Sequence, residues 1–159
     1  VLRGTDWAPV RQWPAPEAHQ ASAADAKFFY AITSRAVAKY DRTTGKRVAL
    51  STGAARHLNS GFFWKGKLLC AHSNYPYNPE RSEIIVLDVD TMKLSTFKAF
   101  GNVGGSLVWV LRKDDHWWCN FAHYGASKAK TFLRFQKVVQ MLIPILQRKN
   151  RSNPQQGLH

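Results

Sequence analysis

Cysteine is scarce in this chain. It occurs only as Cys70 and Cys119 in 159 residues, and no CxxC spacing is present. A disulfide-rich scaffold and a zinc site built from cysteine pairs are therefore excluded. Because both cysteines fall inside predicted strands, we expect two buried free thiols rather than a disulfide.

Long apolar runs and the common catalytic motifs are also missing. No run of 18 apolar residues occurs, so the sequence does not indicate a membrane-spanning helix. The patterns GxSxG, GxxxxGK[ST], HExxH and GxGxxG are absent. Their absence removes the best-known hydrolase, nucleotide, zinc-protease and dinucleotide sites. A cytoplasmic and an exported location both remain open.

Acidic residues disappear after Asp115. All ten lie at or before that position, whereas seven lysines and arginines follow it, and the formal net charge is +13. Such a basic segment attracts phosphates or anionic lipid, and binding of that kind would be sensitive to salt. A solvated basic surface with an atypical tail is the simpler explanation. Nucleic acid and anionic membranes are therefore not the partners we expect.

A repeated strand pattern is the chief feature that the sequence does contain. KFFYAITS (27–34), KLLCAHSN (67–74) and HWWCNFAH (116–123) each have a polar start, an aromatic or aliphatic run and a small polar ending. The first two are followed by matching strand-turn-strand units at 36–50 and 84–97. Repeats of roughly 40–50 residues built from four short strands are typical of propeller blades. We predict an all-β chain, an incomplete β-propeller with about three four-stranded antiparallel blades.

Five segments carry a resemblance to a known group of proteins. They are EAHQASAAD, RHLNSGFFWKGKLLCAHSNYP, VLDVDTMK, GGSLVW and DHWWCNFAHYG, and they lie within residues 17–136. The chain resembles bacterial propeller proteins that are loosely related to the glutaminyl-cyclotransferase-like and quinoprotein-like propellers. The resemblance implies the fold but no particular activity, since propellers carry many unrelated functions. A closed ring needs about 4–8 blades, so we expect a fragment of a longer propeller.

The predicted organisation has three parts. Residues 1–17 are an extended lead-in, 18–136 a partial propeller, and 137–159 a basic tail foreign to the propeller. Apolar residues between 138 and 146 have a helical spacing that Pro144 interrupts, so a short helix followed by disorder is predicted. A helix covering the last sheet edge is the competing interpretation. Uncovered aromatic faces of the end blades predict self-association.

Four histidines are predicted to share one face of the propeller. In a four-stranded meander the first strand starts, and the second strand ends, at the same face. The residues placed at or beside this face, the mouth of the central channel, are His19, Arg56, His57, Asn59, His72, Asn74 and His123. They can contact a ligand, or bind loop backbone and hold blade to blade, which is the simplest role. No cofactor is predicted, although His57, His72 and His123 are the candidates for a divalent metal.

Two further sets of residues have structural and binding interpretations. Arg56 can bind an anion at the mouth or pair with Glu80 or Glu83, and we favour the pairing. Asp41 and Asp88 recur at matching positions, so we expect both carboxylates to accept backbone N–H bonds in turns. The aromatic residues of the strands are expected in the core on both faces of the sheets. They are Phe62, Phe63, Trp64, Trp109, Trp117 and Trp118.

The sequence supports two main functional hypotheses, and binding of nucleic acid or an anionic membrane by the basic C-terminal region ranks third. The first is a ligand-binding or interaction scaffold that uses the histidine-bearing face. The alternative is a propeller enzyme of lyase, cyclotransferase or hydrolase type, in which His57, His72 and His123 take part in catalysis. No residue pattern identifies the ligand or substrate.

Overall fold

The described part of the chain consists of antiparallel β-sheets. The computed structural model describes the backbone of residues 8–126 and 131–141, and the side chains of residues 8–123. Over these residues the chain is all-β, with eleven strands in three sheets, and the sheets do not close into a ring. The predicted all-β class and antiparallel pairing are confirmed. No helix in this part of the chain is long and apolar enough to span a membrane.

Each sheet is a meander whose strand order follows the chain. The first sheet contains β1 (Ala21–Ala24), β2 (Phe28–Ile32), β3 (Val37–Asp41) and β4 (Arg47–Leu50). The second contains β5 (His57–Trp64), β6 (Lys67–Ser73), β7 (Ser82–Asp88) and β8 (Lys93–Gly101). The third contains β9 (Ser106–Lys113), β10 (His116–Ala126) and β11 (Thr131–Met141). One sequence repeat therefore forms one sheet.

The second sheet is buried on both faces. Leu68 and Cys70 of β6 belong to a core shared with the first sheet, whereas Leu69 and Ala71 belong to a core shared with the third. Successive side chains of a strand point to opposite faces. The uninterrupted apolar run of β6 is thus explained by burial on both sides.

Both cysteines are free and buried, as predicted. Each side chain faces the sheet that precedes its own, because Cys70 lies in the core between the first two sheets and Cys119 in the core between the last two. Burial raises the pKa of the Cys70 thiol to about 12 and that of Cys119 to about 11. Both thiols are therefore protonated near neutral pH.

The strand aromatics also pack on both sheet faces. Phe63 packs against the core between the first two sheets, and its neighbour Trp64 packs against the core between the last two. Trp117 is fully buried, whereas Trp109 and Trp118 are half-buried. The predicted core role is confirmed for Phe63, Trp64 and Trp117, whereas Phe62, Trp109 and Trp118 are half-buried outside these two cores.

Asp41 and Asp88 hold equivalent turns. Oδ1 of Asp41 accepts N–H bonds from the residues two and three positions ahead, at 2.9 and 2.7 Å. Oδ1 of Asp88 accepts the equivalent bonds at 3.2 and 3.0 Å. The hydroxyls of Thr44 and Thr91 donate to the same oxygens. These hydrogen bonds keep the pKa of both carboxyl groups below the ordinary value and confirm the predicted structural role.

The lead-in packs on the outer face of the first sheet. Ala15 lies against a small core that includes Tyr40. The Glu17 carboxylate accepts a hydrogen bond from the Tyr40 hydroxyl and pairs with Arg47. One of the two end faces that the sequence predicts to be uncovered is therefore partly covered by the chain itself. Self-association through such faces stays a prediction.

The last strand extends beyond the predicted propeller boundary at residue 136. Residues 137–141 belong to β11 and pair with Phe121 through Trp117 of β10. The helix predicted from residue 137 is absent from this stretch. Because β10 is eleven residues long, its backbone can pair with a strand that continues beyond residue 136. Val138 and Val139 are β-branched and suit a strand. The remainder of the predicted tail, residues 142–159, lies outside the described residues.

Candidate functional site

A cleft of about 700 Å3 opens at one end of the second sheet. At this end β5 and β7 begin while β6 and β8 finish, so it is the end at which the histidines are predicted to gather. Small side chains, Ala54, Ala55 and Ala99, form part of the wall. The polar lining includes Arg56, His72, Asn74, Asn78, Arg81 and Glu83.

His72 is the most buried of these polar side chains, with 6% of its surface exposed. Its Nε2 accepts the backbone N–H of Arg56 at 2.9 Å. Its Nδ1 lies 2.9 Å from Oε1 of Glu83, although the alignment falls short of a directed hydrogen bond. Because Nε2 is an acceptor, the neutral ring carries its proton on Nδ1. The imidazole thus links the start of β5 to the start of β7.

The surroundings of His72 favour its neutral form. Burial lowers the pKa of His72, the Glu83 carboxylate acts in the opposite direction, and His57 and Arg56 lower it further. The net direction is below the ordinary value. Burial also lowers the pKa of His57. Both rings are therefore neutral at pH 7, and protonation of His72 would remove the acceptor that Arg56 uses.

We expect the free energy of unfolding to fall as pH is lowered from 7 to 5. An unfolded histidine takes up its proton near pH 6.5, about its unperturbed pKa. Folded His72 and His57 take theirs up at lower pH, so the unfolded state binds more protons in this window. Stability is therefore highest above the unfolded pKa and is lost as pH falls. Urea denaturation at several pH values measures the slope.

Two variants at the His72–Glu83 contact test whether His72 is the titrating group. They should change the slope of the free energy of unfolding against pH in opposite directions. His72→Gln keeps a donor and an acceptor but does not titrate, so the slope between pH 7 and 5 should become shallower. Glu83→Gln removes the carboxylate that favours protonated His72, so the slope should become steeper. A slope that is the same in the wild type and in both variants would rule out His72 as the titrating group.

The carboxylates beside the cleft are engaged by histidines and not by Arg56. Glu83 contacts His72, and Oε2 of Glu80 lies 3.2 Å from Nδ1 of His123. Among the side chains through residue 123, neither glutamate forms an ion pair with Arg56. The pairing that the sequence favours for Arg56 is therefore not found. The guanidinium group instead lies over an aromatic ring, that of Tyr77, at 5.2 Å from its centroid.

Asn74 shapes the loop that supplies the other arginine. Its backbone N–H donates to the Arg81 carbonyl at 3.0 Å, and its Oδ1 accepts the Arg81 N–H at 2.7 Å. Its Nδ2 donates to the Pro79 carbonyl at 3.0 Å. These three bonds close the loop 74–81 across its base. Asn74 lines the cleft as predicted. Its hydrogen bonds hold the loop in the conformation that places Asn78 and Arg81 in the cleft wall.

The remaining predicted residues lie outside the cleft wall. Asn59 Nδ2 donates to the Leu107 carbonyl at 2.7 Å and so ties the second sheet to the third. The His57 ring packs against the Tyr75 ring, with centroids 5.2 Å apart. His19 is exposed in the lead-in, and His123 contacts Glu80. Of the predicted set, the structure brings Arg56, His72 and Asn74 together in the cleft.

Three cleft residues, Asn78, Arg81 and Ser82, are not among the site residues predicted from the sequence. The signal lies in the connection that carries them, because β2 and β3 are joined by residues 33–36 whereas β6 and β7 are joined by residues 74–81. A long polar loop present in one repeat alone is a functional indicator, since recognition residues concentrate on loops held by a rigid scaffold. Ser82 also has a structural role, because its hydroxyl donates to the Gly105 carbonyl at 3.0 Å and accepts the Leu107 N–H.

The metal candidates are not arranged as a metal centre. Among the side chains that the structure describes, no group of three or more His, Cys, Asp or Glu residues is placed to hold a metal ion. Nδ1 of His72 faces Glu83 and Nδ1 of His123 faces Glu80. Nε2 of His72 is occupied by a backbone donor.

Comparison with known proteins identifies no family. No family model matches the chain, and no curated protein matches it. Among solved structures, the computationally designed Ika4 protein is similar over 82% of this chain and 94% of its own chain, with 12% identity and a TM-score of 0.44. That degree of likeness carries no argument about function.

Proposed function

We propose that the three sheets are consecutive blades of a β-propeller, and that the chain is a ligand-binding scaffold whose ligand occupies the cleft. Stacking of the sheets in chain order supports the blade arrangement, as do the contacts of β5 with both β1 and β9. The observation that carries the binding function is the cleft itself. Its volume of about 700 Å3 lies within the range of about 300–1,000 Å3 found for small-molecule sites.

The alternative is a propeller enzyme of lyase, cyclotransferase or hydrolase type that uses His57, His72 and His123. The contacts of the two His72 ring nitrogens disfavour a general base at that position. Nε2 already accepts the Arg56 N–H, and Nδ1 faces Glu83. A base must reach the proton it removes, and this ring has no free acceptor for a substrate. The contacts suit a ring that fixes the cleft wall, so binding is the function we favour.

Ala54→Trp should block the site. Ala54 is exposed and lines the cleft, so a large ring there fills the space with little effect on stability, within about 0.5 kcal/mol. Small-molecule fragments that bind the wild type, detected by ligand-observed NMR, should bind the variant at least about tenfold more weakly, a loss of about 1.4 kcal/mol. Ala18→Trp, at an exposed alanine outside the cleft, is the matched control and should bind normally. Equal binding of every fragment to both variants would refute a ligand site in this cleft.

A further inference from the structure

Two positive charges of the cleft have no carboxylate partner in the described side chains. Arg56 and Arg81 are exposed cleft residues, and neither forms an ion pair with any carboxylate through residue 123. Glu83, the acidic residue of the lining, contacts His72 and accepts the Thr96 hydroxyl at 2.8 Å. The polar lining therefore carries two guanidinium groups against one carboxylate, so the cleft presents a net positive potential.

The backbone of each arginine is fixed, and both residues line the cleft. The Arg56 N–H is held by the buried His72 ring. Its guanidinium group lies over the Tyr77 ring, a contact that orients the plane of the fork without consuming all its donors. Arg81 is held through both its N–H and its carbonyl by Asn74. Such fixed placement lowers the cost of ordering the site when a ligand binds.

We infer that the cleft binds a small organic anion, whose carboxylate or phosphate group is held by Arg56 and Arg81. This inference rests on the ligand-binding function proposed above. Guanidinium groups bind carboxylate and phosphate oxygens through paired, charge-assisted hydrogen bonds. The small side chains of Ala54, Ala55 and Ala99 leave room for the uncharged part of the molecule. A neutral or cationic ligand would leave both arginines without a counter-charge.

Four small molecules that each carry a phenyl ring but differ in charge test whether the cleft prefers an anion. They are benzoate, phenyl phosphate, benzamide and benzylamine, each titrated into the chain and followed by NMR. At least one anion should bind about tenfold or more tightly than benzamide, because a hydrogen bond to a charged group is stronger than one to a neutral amide. Benzylamine should bind most weakly. The tighter of the two anions identifies the group that the site prefers.

Charge-matched variants test whether the two arginines are responsible. The double variant Arg56→Gln/Arg81→Gln should lose the preference for anions over benzamide. Lys27→Gln/Lys46→Gln removes the same charge from exposed turns at the other end of the first sheet, outside the cleft. It should keep that preference, because distant exposed charges are screened by salt. An equal loss in both double variants, or a preference that survives in the first, would overturn the inference.

The Ala54→Trp variant separates failure of the anion inference from failure of the binding proposal. If benzamide or benzylamine binds as tightly as the anions, and Ala54→Trp abolishes that binding, the cleft is a ligand site of different chemistry and the anion inference alone is wrong. If no probe binds in a manner that Ala54→Trp abolishes, the inference and the proposed function both fail for ligands of this size.

Discussion

Replacing Trp117 by alanine should lower the free energy of unfolding by about 3–5 kcal/mol, the usual range for removing a buried large aromatic side chain. Trp117 is fully buried between the second and third sheets. Its ring centroid lies 5.3 Å from those of Trp64 and Phe97, so truncation leaves a cavity lined by aromatic rings. Arg112, whose guanidinium group lies over Trp64 and Trp117, also loses one partner. Urea denaturation followed by circular dichroism measures the change.

Two control variants isolate the cause of that loss. Trp117→Phe keeps an aromatic ring and removes an indole N–H that has no hydrogen-bond partner in the described residues, so it should cost only about 1 kcal/mol. Trp118→Ala removes the same side chain from the neighbouring residue, which points to the opposite face and is half-buried. It should cost less than half as much as Trp117→Ala. Equal costs at the two tryptophans would contradict the burial of Trp117 between the sheets.

The strands could be predicted because their signals are local and repeated. The apolar run of β6 needs burial on both faces, and that condition is met only by a sheet between two others. Asp41 and Asp88 could be assigned to turns because each is followed three residues later by a threonine. Such short-range hydrogen bonds depend on the nearest residues of the chain.

The extent of β11 could not be predicted, because it depends on a distant partner. The stretch from residue 138 has apolar residues at helical spacing, and local pattern alone favours a helix. Pairing with β10 along residues 117–121 determines the conformation of residues 137–141. Tertiary pairing of this kind routinely overrides local preference.

The cleft was only partly predictable for a related reason. Strand direction was enough to place His72 at the correct end of its sheet, but not to show that both of its ring nitrogens face protein groups. The partner of Arg56 depends on which acidic side chains the histidines engage. Arg81 enters the wall because Asn74 closes its loop. Each of these outcomes depends on side-chain contacts that spacing along the chain does not determine.

Gly53→Ala should lower the free energy of unfolding by about 2–4 kcal/mol, through backbone strain and a steric clash. Gly53 has φ of 100°, and a Cβ built there would lie 2.7 Å from the Leu94 carbonyl oxygen. That segment of β8 is held close, because Thr52 donates to the Met92 carbonyl and accepts the Leu94 N–H, both at 2.8 Å. Relief of the clash must disturb these two bonds, which join the end of the first sheet to the second.

Gly66→Ala is the control variant, because it introduces left-handed backbone strain without a steric clash. Gly66 has φ of 73° in the β5–β6 hairpin, and no atom lies within 4 Å of a Cβ built there. Left-handed backbone strain alone should cost about 1–2 kcal/mol, so the excess at Gly53 comes from the contact with β8 together with its larger φ. Denaturant midpoints of the two variants give that difference directly. If Gly53→Ala costs no more than Gly66→Ala, the chain between the first two sheets tolerates displacement, and the sheets are held together by side-chain packing alone.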